Sequence, residues 1–208
     1  MNLPNKLTLL RFLLVPVFML FVEISDLMSA TVTYEGYVET TAPYLIIALA
    51  VFAIASFTDF LDGYLARRDN LVTDFGKFMD PLADKVLTTA AIIYLIKFDF
   101  CSNIVLILIL TREFAVSGIR MIAASSAGGG KVIAASMWGK VKTVMQMVTV
   151  IFAFLALGLC EMGIISVVTA MGTVKLVINL AMWAVAVATV VSGMQYIMPN
   201  IDLIKNAK

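Results

Sequence analysis

The chain has 208 residues, of which 62% are hydrophobic and 14% charged, with a mean hydropathy of +1.00; this excludes an ordinary soluble globular domain and fits one domain, 1–208, whose solvent is a bilayer. Fifteen Lys and Arg against fourteen Asp and Glu leave a net charge of +1, and no nucleic-acid partner is expected. Histidine is absent, which removes the commonest general base and any Ser-His or His-zinc scheme.

Apolar runs lie at 9–22, 44–57, 86–96, 104–110, 144–159 and 176–197. A spanning helix needs about 20 residues, so the shorter runs must extend into polar neighbours. The expectation is an all-α integral membrane protein with six transmembrane helices, near 7–25, 43–67, 74–97, 102–124, 140–160 and 174–197. Lys6 and Arg11 precede the first run as in a signal peptide, but no small-residue cleavage site follows Val22, and the run is expected to stay as a helix. Asn5, Thr8 and Arg11 recur every three residues, a polar stripe on a short N-terminal helix along the membrane interface; a plain amphipathic anchor fits equally well. The acidic stretch 23–39 reads as an outer loop.

Between 58 and 85 six aspartates occur. Asp59 and Asp62 end the second helix and Asp80 and Asp84 begin the third, each pair on one face. Four carboxylates converging at a bilayer edge repel one another unless a cation compensates, and all-oxygen ligation selects one or two Mg2+ or Mn2+ ions. Gly63, Ala66 and Gly76 allow close helix approach, and Arg67 offers a forked donor for phosphate. Asp69 and Asp74 read as loop residues, and Pro81 either opens a helix or interrupts one.

Further along, Arg112 and Arg120 are two turns apart on one face of the fourth helix, within reach of a phosphate in an inner cavity. Glu113 is better placed to tie the arginines or a neighbouring helix. Residues 125–131, SSAGGGK, form an inner loop. Lys140 and Lys142 point to opposite sides of a helix, so at most one faces the pocket directly; Lys142, on the face of Gln146, is favoured. The bland reading of all four cations is topological. Residues 163–172 form an outer hairpin or simply the ends of the last two helices. Cys101 and Cys160 fall near outer ends, where they pair or serve as small apolar residues.

Placing the N-terminus inside puts 13 of the 15 Lys and Arg on the cytoplasmic side, leaving Lys97 and Lys175 outside. Both termini and the aspartates are then cytoplasmic.

The spaced set Asp59-x2-Asp62-Gly63-x2-Ala66-Arg67-x8-Gly76-x3-Asp80-x3-Asp84 resembles the signature of the CDP-alcohol phosphotransferase family at every position. The resemblance implies a six-helix homodimer of a bacterial cytoplasmic membrane that moves a substituted phosphate from a CDP-linked donor to an alcohol. It implies Asp59, Asp62 and Asp80 as metal ligands and Asp84 as ligand, general base or both. Gly63, Ala66, Arg67 and Gly76 would line the CDP site, which the Asn5 and Thr8 stripe approaches. The segments MNLPNKLTLLR, TREFAVSGIR and ASMWGKVKTVMQM are similar to bacterial members that use CDP-diacylglycerol as donor and glycerol 3-phosphate as acceptor, with Arg112, Arg120 and a lysine holding the acceptor phosphate. The rivals are a family member using inositol phosphate or serine, an intramembrane prenyltransferase and a divalent-cation transporter.

Overall fold

The computed structural model of the chain describes the backbone of residues 3–35, 43–68, 74–125, 137–164 and 167–200, and the side chains of 6–28, 43–58, 79, 82, 83, 85–120, 137–164 and 172–200. Among the described residues six helices follow one another: α1 Leu3–Glu35, α2 Tyr44–Arg68, α3 Asp74–Lys97, α4 Asn103–Ser125, α5 Met137–Glu161 and α6 Val167–Ile197, with a 3-10 turn at Met198–Asn200. No strand occurs among the described residues. The 126–136 connection, which includes most of the expected inner loop, and the 36–42 end of the acidic stretch lie outside the described residues.

The largest correction concerns α1. A separate interfacial helix and an outer loop from residue 23 were expected, yet one helix runs from Leu3 to Glu35. Pro4 sits in its first turn, where a missing N–H costs nothing. Glu23 and Asp26 end the apolar run but break no backbone, and no glycine interrupts the sequence before Gly36. Asp74, read as a loop residue, is the first residue of α3, and Pro81 lies inside a helix already running. Of the 163–172 segment, 163–164 lie in a turn and 167–172 begin α6, while 165–166 lie outside the described residues.

Local chemistry sets the helix ends. Ser102 caps α4, its Oγ accepting from the Ile104 N–H at 3.3 Å. Both α3 and α5 close in Schellman turns. Phe100 N–H reaches the Leu95 carbonyl at 2.7 Å and Asp99 N–H that of Ile96 at 2.9 Å; Ile164 and Gly163 repeat the pattern on Leu159 and Cys160. The pivots are Asp99 and Gly163, with φ of 61° and 70°. Aspartate tolerates that left-handed conformation better than most residues, which explains a position where glycine is usual.

The helices alternate in direction, and all six contribute buried residues to one core. Phe18 sits at its centre, its ring centroid 5.3 Å from that of Phe154 and 5.9 Å from those of Phe52 and Tyr94. Packing links α1 to α2 and α3, α2 to α5, and α6 to both α4 and α5, whereas α3 touches each of α2, α4 and α5 only lightly. Polar ties hold one end of the bundle. Glu161 of α5 accepts from Ser25 Oγ at 2.6 Å and from the Leu45 N–H at 2.7 Å, satisfying one of the free donors at the start of α2. Lys97 pairs with Glu23 and Asp26, and Lys175 with Asp99. Cys101 and Cys160 are both free thiols.

Among the described residues, three stretches are long and apolar enough to cross a membrane, Lys6–Met28, Met137–Glu161 and Gly172–Asn200. On α1 the amphipathicity is inverted. Thr8 and Arg11 are 1% and 0% exposed while Leu9, Leu10 and Leu13 face outward, the opposite of an interfacial anchor with its polar side in water. Arg11 Nε donates to the Ala55 carbonyl of α2 at 3.3 Å, so this stripe is a seam between helices.

Candidate active site

At the end of the bundle opposite Glu161, α3, α4 and α5 enclose a cavity of about 440 Å3. Arg112, Arg120, Lys140 and Lys142, chosen from sequence as acceptor-binding residues, all line it, together with Lys85. Helix spacing accounts for this: Arg112 and Arg120 are two turns apart on α4, and Lys142 and Gln146 one turn apart on α5. Lys142 is 2% exposed, whereas Lys140 is exposed at the rim, so Lys142 is the inward-facing member.

One carboxylate organises these cations. Glu113 Oε1 accepts from Lys142 Nζ at 2.5 Å and from Arg112 Nη1 at 3.1 Å, joining α4 to α5. Lys85 crosses from α3 to α4, donating to the Glu113 backbone carbonyl at 3.2 Å and to Ser117 Oγ, with its ammonium 5.4 Å from the Phe114 ring centroid. These contacts matter because α3 and α4 otherwise meet little. Arg120 is held from α6: its Nε donates to Tyr196 Oη at 3.1 Å, and its guanidinium carbon lies 5.4 Å from that ring's centroid. Tyr196 is buried with Val116 and Ile119. Gly193, one turn earlier, lets α6 approach the Arg112 stem; a Cβ there would lie 3.1 Å from Arg112 Cγ.

Five cationic side chains and one carboxylate thus line the cavity among the described residues. With Glu113 already shared between Arg112 and Lys142, the excess positive charge suits an anion of more than one charge, and arginine forks and ammonium points are the usual phosphate donors.

The sequence-predicted residues divide as follows. Asp59, Asp62, Gly63, Ala66 and Arg67 lie on the last turns of α2, and Gly76, Asp80 and Asp84 on the first turns of α3; their side chains, like that of Asn5, are outside the described residues. Their backbone is helical throughout, as the three- and four-residue spacings require, and α2 and α3 are in contact. Lys85 and Tyr196 were missed as site residues. Lys85 directly follows the aspartate motif and reads as topological charge, while a tyrosine near the end of an apolar helix carries no signal of its partner.

The sequence pattern of the CDP-alcohol phosphatidyltransferase family matches residues 1–192. A protein of Bacillus subtilis (strain 168) named CDP-diacylglycerol–glycerol-3-phosphate 3-phosphatidyltransferase is 42% identical over 210 residues, covering 99% of this chain and 98% of its own. A Rickettsia felis protein of the same name is 36% identical over 195 residues, covering 94% and 93%. One from Mycoplasma pneumoniae is 32% identical over 155 residues, covering 73% and 67%.

Proposed function

The chain belongs to the CDP-alcohol phosphatidyltransferase family, and from that premise we propose that it transfers the phosphatidyl group of CDP-diacylglycerol to sn-glycerol 3-phosphate, giving phosphatidylglycerophosphate and CMP. The observation that carries the choice of acceptor is the cavity in which Arg112, Arg120, Lys140 and Lys142 meet. Serine or a simple alcohol has no need of such a surplus of cations, whereas a phosphorylated acceptor does.

The four aspartates fit a hard divalent cation, since two carboxylate pairs stand at helical spacing on uninterrupted stretches of two touching helices. Asp59, Asp62, Asp80 and Asp84 would hold Mg2+ or Mn2+, which when bound neutralises charge on the donor's pyrophosphate. Gly63, Ala66, Arg67 and Gly76 line the CDP moiety, with Asn5 from the start of α1 beside them; Thr8, expected there too, is instead buried between helices. Arg112, Arg120 and Lys142 grip the acceptor phosphate and contribute by positioning. The primary hydroxyl oxygen of glycerol 3-phosphate attacks the phosphorus that carries diacylglycerol, and its proton passes to the Asp84 carboxylate. The bond from that phosphorus to the oxygen bridging to cytidylate breaks, and CMP leaves with the electron pair.

All six helices cross the bilayer in this reading. The outward Ile93 of α3 and Ile104, Ile107 and Phe114 of α4, 50–61% exposed, support adding these helices to the three clear spans. The site and both termini face the cytoplasm of a bacterial inner membrane, and the protein works as a homodimer. The test is incubation of purified protein with CDP-diacylglycerol and labelled glycerol 3-phosphate, with and without a chelator. Chelator-sensitive formation of labelled lipid with equimolar CMP is expected; CMP release that ignores glycerol 3-phosphate but follows inositol phosphate or serine would overturn the acceptor.

A further inference from the structure

Two polar atoms of the cavity are buried with no hydrogen-bond partner among the described residues, Gln146 Oε1 and Arg112 Nε. Both residues line the cavity, Gln146 at 4% exposure and the Arg112 side chain at 12%. Leaving a buried donor or acceptor unpaired is unfavourable, so such atoms on residues that line a cavity point to a ligand that completes them once it is seated there. The other polar side chains on this part of α5 are already committed: Thr143 Oγ1 donates to the Gly139 carbonyl at 3.0 Å, Thr149 Oγ1 to that of Met145 at 2.8 Å, and Lys142 to Glu113. Gln146 alone among them keeps an open group.

The two open atoms are of opposite kind. Arg112 Nε–H is a donor and calls for an anionic oxygen; Gln146 Oε1 is an acceptor and calls for a hydroxyl. The two do not bond to each other, and a single ligand carrying both an anionic oxygen and a hydroxyl would complete both. A primary amide can also turn its ends, so it serves a hydroxyl as acceptor or donor. Lys142 lies one turn before Gln146 on the same face of α5, placing the phosphate-binding cation beside the hydroxyl-binding amide.

From this geometry, and resting on the acceptor assigned above, we propose that Gln146 is a specificity-determining residue that binds the secondary hydroxyl of glycerol 3-phosphate while Arg112 Nε binds its phosphate. Two fixed points on a three-carbon chain direct the remaining primary hydroxyl away from both, toward the reacting phosphorus. An acceptor without the middle hydroxyl leaves the amide buried and unpaired, and a site built to bond a hydroxyl rejects such an analogue far more strongly than an apolar pocket rejects a missing methylene.

The test compares sn-glycerol 3-phosphate with 3-hydroxypropyl phosphate, which keeps the phosphate, the chain length and the primary hydroxyl and lacks only the middle one. Wild-type protein in detergent with CDP-diacylglycerol is expected to favour glycerol 3-phosphate by about 30-fold or more in kcat/KM. Gln146→Met, close in volume, should bring that ratio below about threefold by lowering turnover of glycerol 3-phosphate alone. A folded variant that loses both substrates equally, or keeps the wild-type ratio, overturns the proposal. Gln146→Asn, which withdraws the amide by one methylene, is the second variant and should also reduce the ratio. If neither variant folds, a wild-type ratio below about threefold still overturns the proposal and a larger one supports it. Failure of the wild type to use glycerol 3-phosphate at all is a separate result and would remove the acceptor assignment itself.

Discussion

Lys142 Nζ of α5 and Glu113 Oε1 of α4 stand 2.5 Å apart, and the same Glu113 oxygen accepts from Arg112. A lysine 2% exposed in an apolar bundle requires such a partner, because a lone buried ammonium is strongly disfavoured. The pair ties α4 to α5 across the cavity and fixes two of its cations relative to each other.

Replacing that carboxylate should damage both binding and stability. Glu113→Gln leaves the Lys142 charge without its counterion and is expected to lower stability by about 2 kcal/mol, read as an earlier thermal midpoint in detergent. KM for glycerol 3-phosphate should rise about tenfold or more, with KM for CDP-diacylglycerol nearly unchanged. An equal rise for both substrates would show that Glu113 only supports the fold.

The contact from Tyr196 to Arg120 makes a finer test. Tyr196→Phe keeps the ring beside the guanidinium and removes only the phenolic oxygen, a change of about 1 kcal/mol. The expected result is a several-fold rise in KM for glycerol 3-phosphate at constant kcat. Arg120→Ala, which removes the cation itself, should act in the same direction and more strongly. A variant of either kind whose effect falls on the lipid substrate would contradict the role given to this pair.

Asp84→Asn should abolish turnover, by about a thousandfold or more, while CDP-diacylglycerol still binds. Near-normal activity would remove the base assignment. In the wild type, a chelator should stop the reaction and added Mg2+ or Mn2+ restore it; retained activity after exhaustive chelation would count against cation binding by the four aspartates.

The two cysteines should separate by reactivity. Burial pushes the Cys101 thiol up to about 11, and since only the thiolate reacts, about one molecule in a thousand is competent there at pH 8. Cys101, in the turn between α3 and α4, should resist maleimide at that pH until the protein is denatured, and any slow labelling should accelerate as pH rises toward 11. Cys160 is more accessible and should label first. Rapid labelling of Cys101 in folded protein would show that the turn opens.

Much of the architecture was legible in the chain alone. The order of the helices, and the ends of α2, α3 and α4 to within a residue or so, followed from apolar runs that had to borrow polar neighbours to reach spanning length. Charge interrupts hydropathy without breaking a backbone, and that is why α1 runs past Glu23 and Asp26 to Glu35. The family too was carried by spaced letters, because aspartate, glycine and alanine at fixed helical intervals encode a shared face within one helix.

What spacing within a helix cannot encode is which face of which neighbour it meets. Thr8 and Arg11 were recognisable as a stripe, but only packing against α2 turned that stripe inward. Lys142 could be preferred over Lys140, yet its pairing with Glu113, the recruitment of Lys85 from α3 and the hold of Tyr196 on Arg120 join residues 28 to 76 positions apart in sequence. Long flexible cations satisfy their charge wherever a partner oxygen lies within reach, and only the assembled bundle decides which oxygen that is.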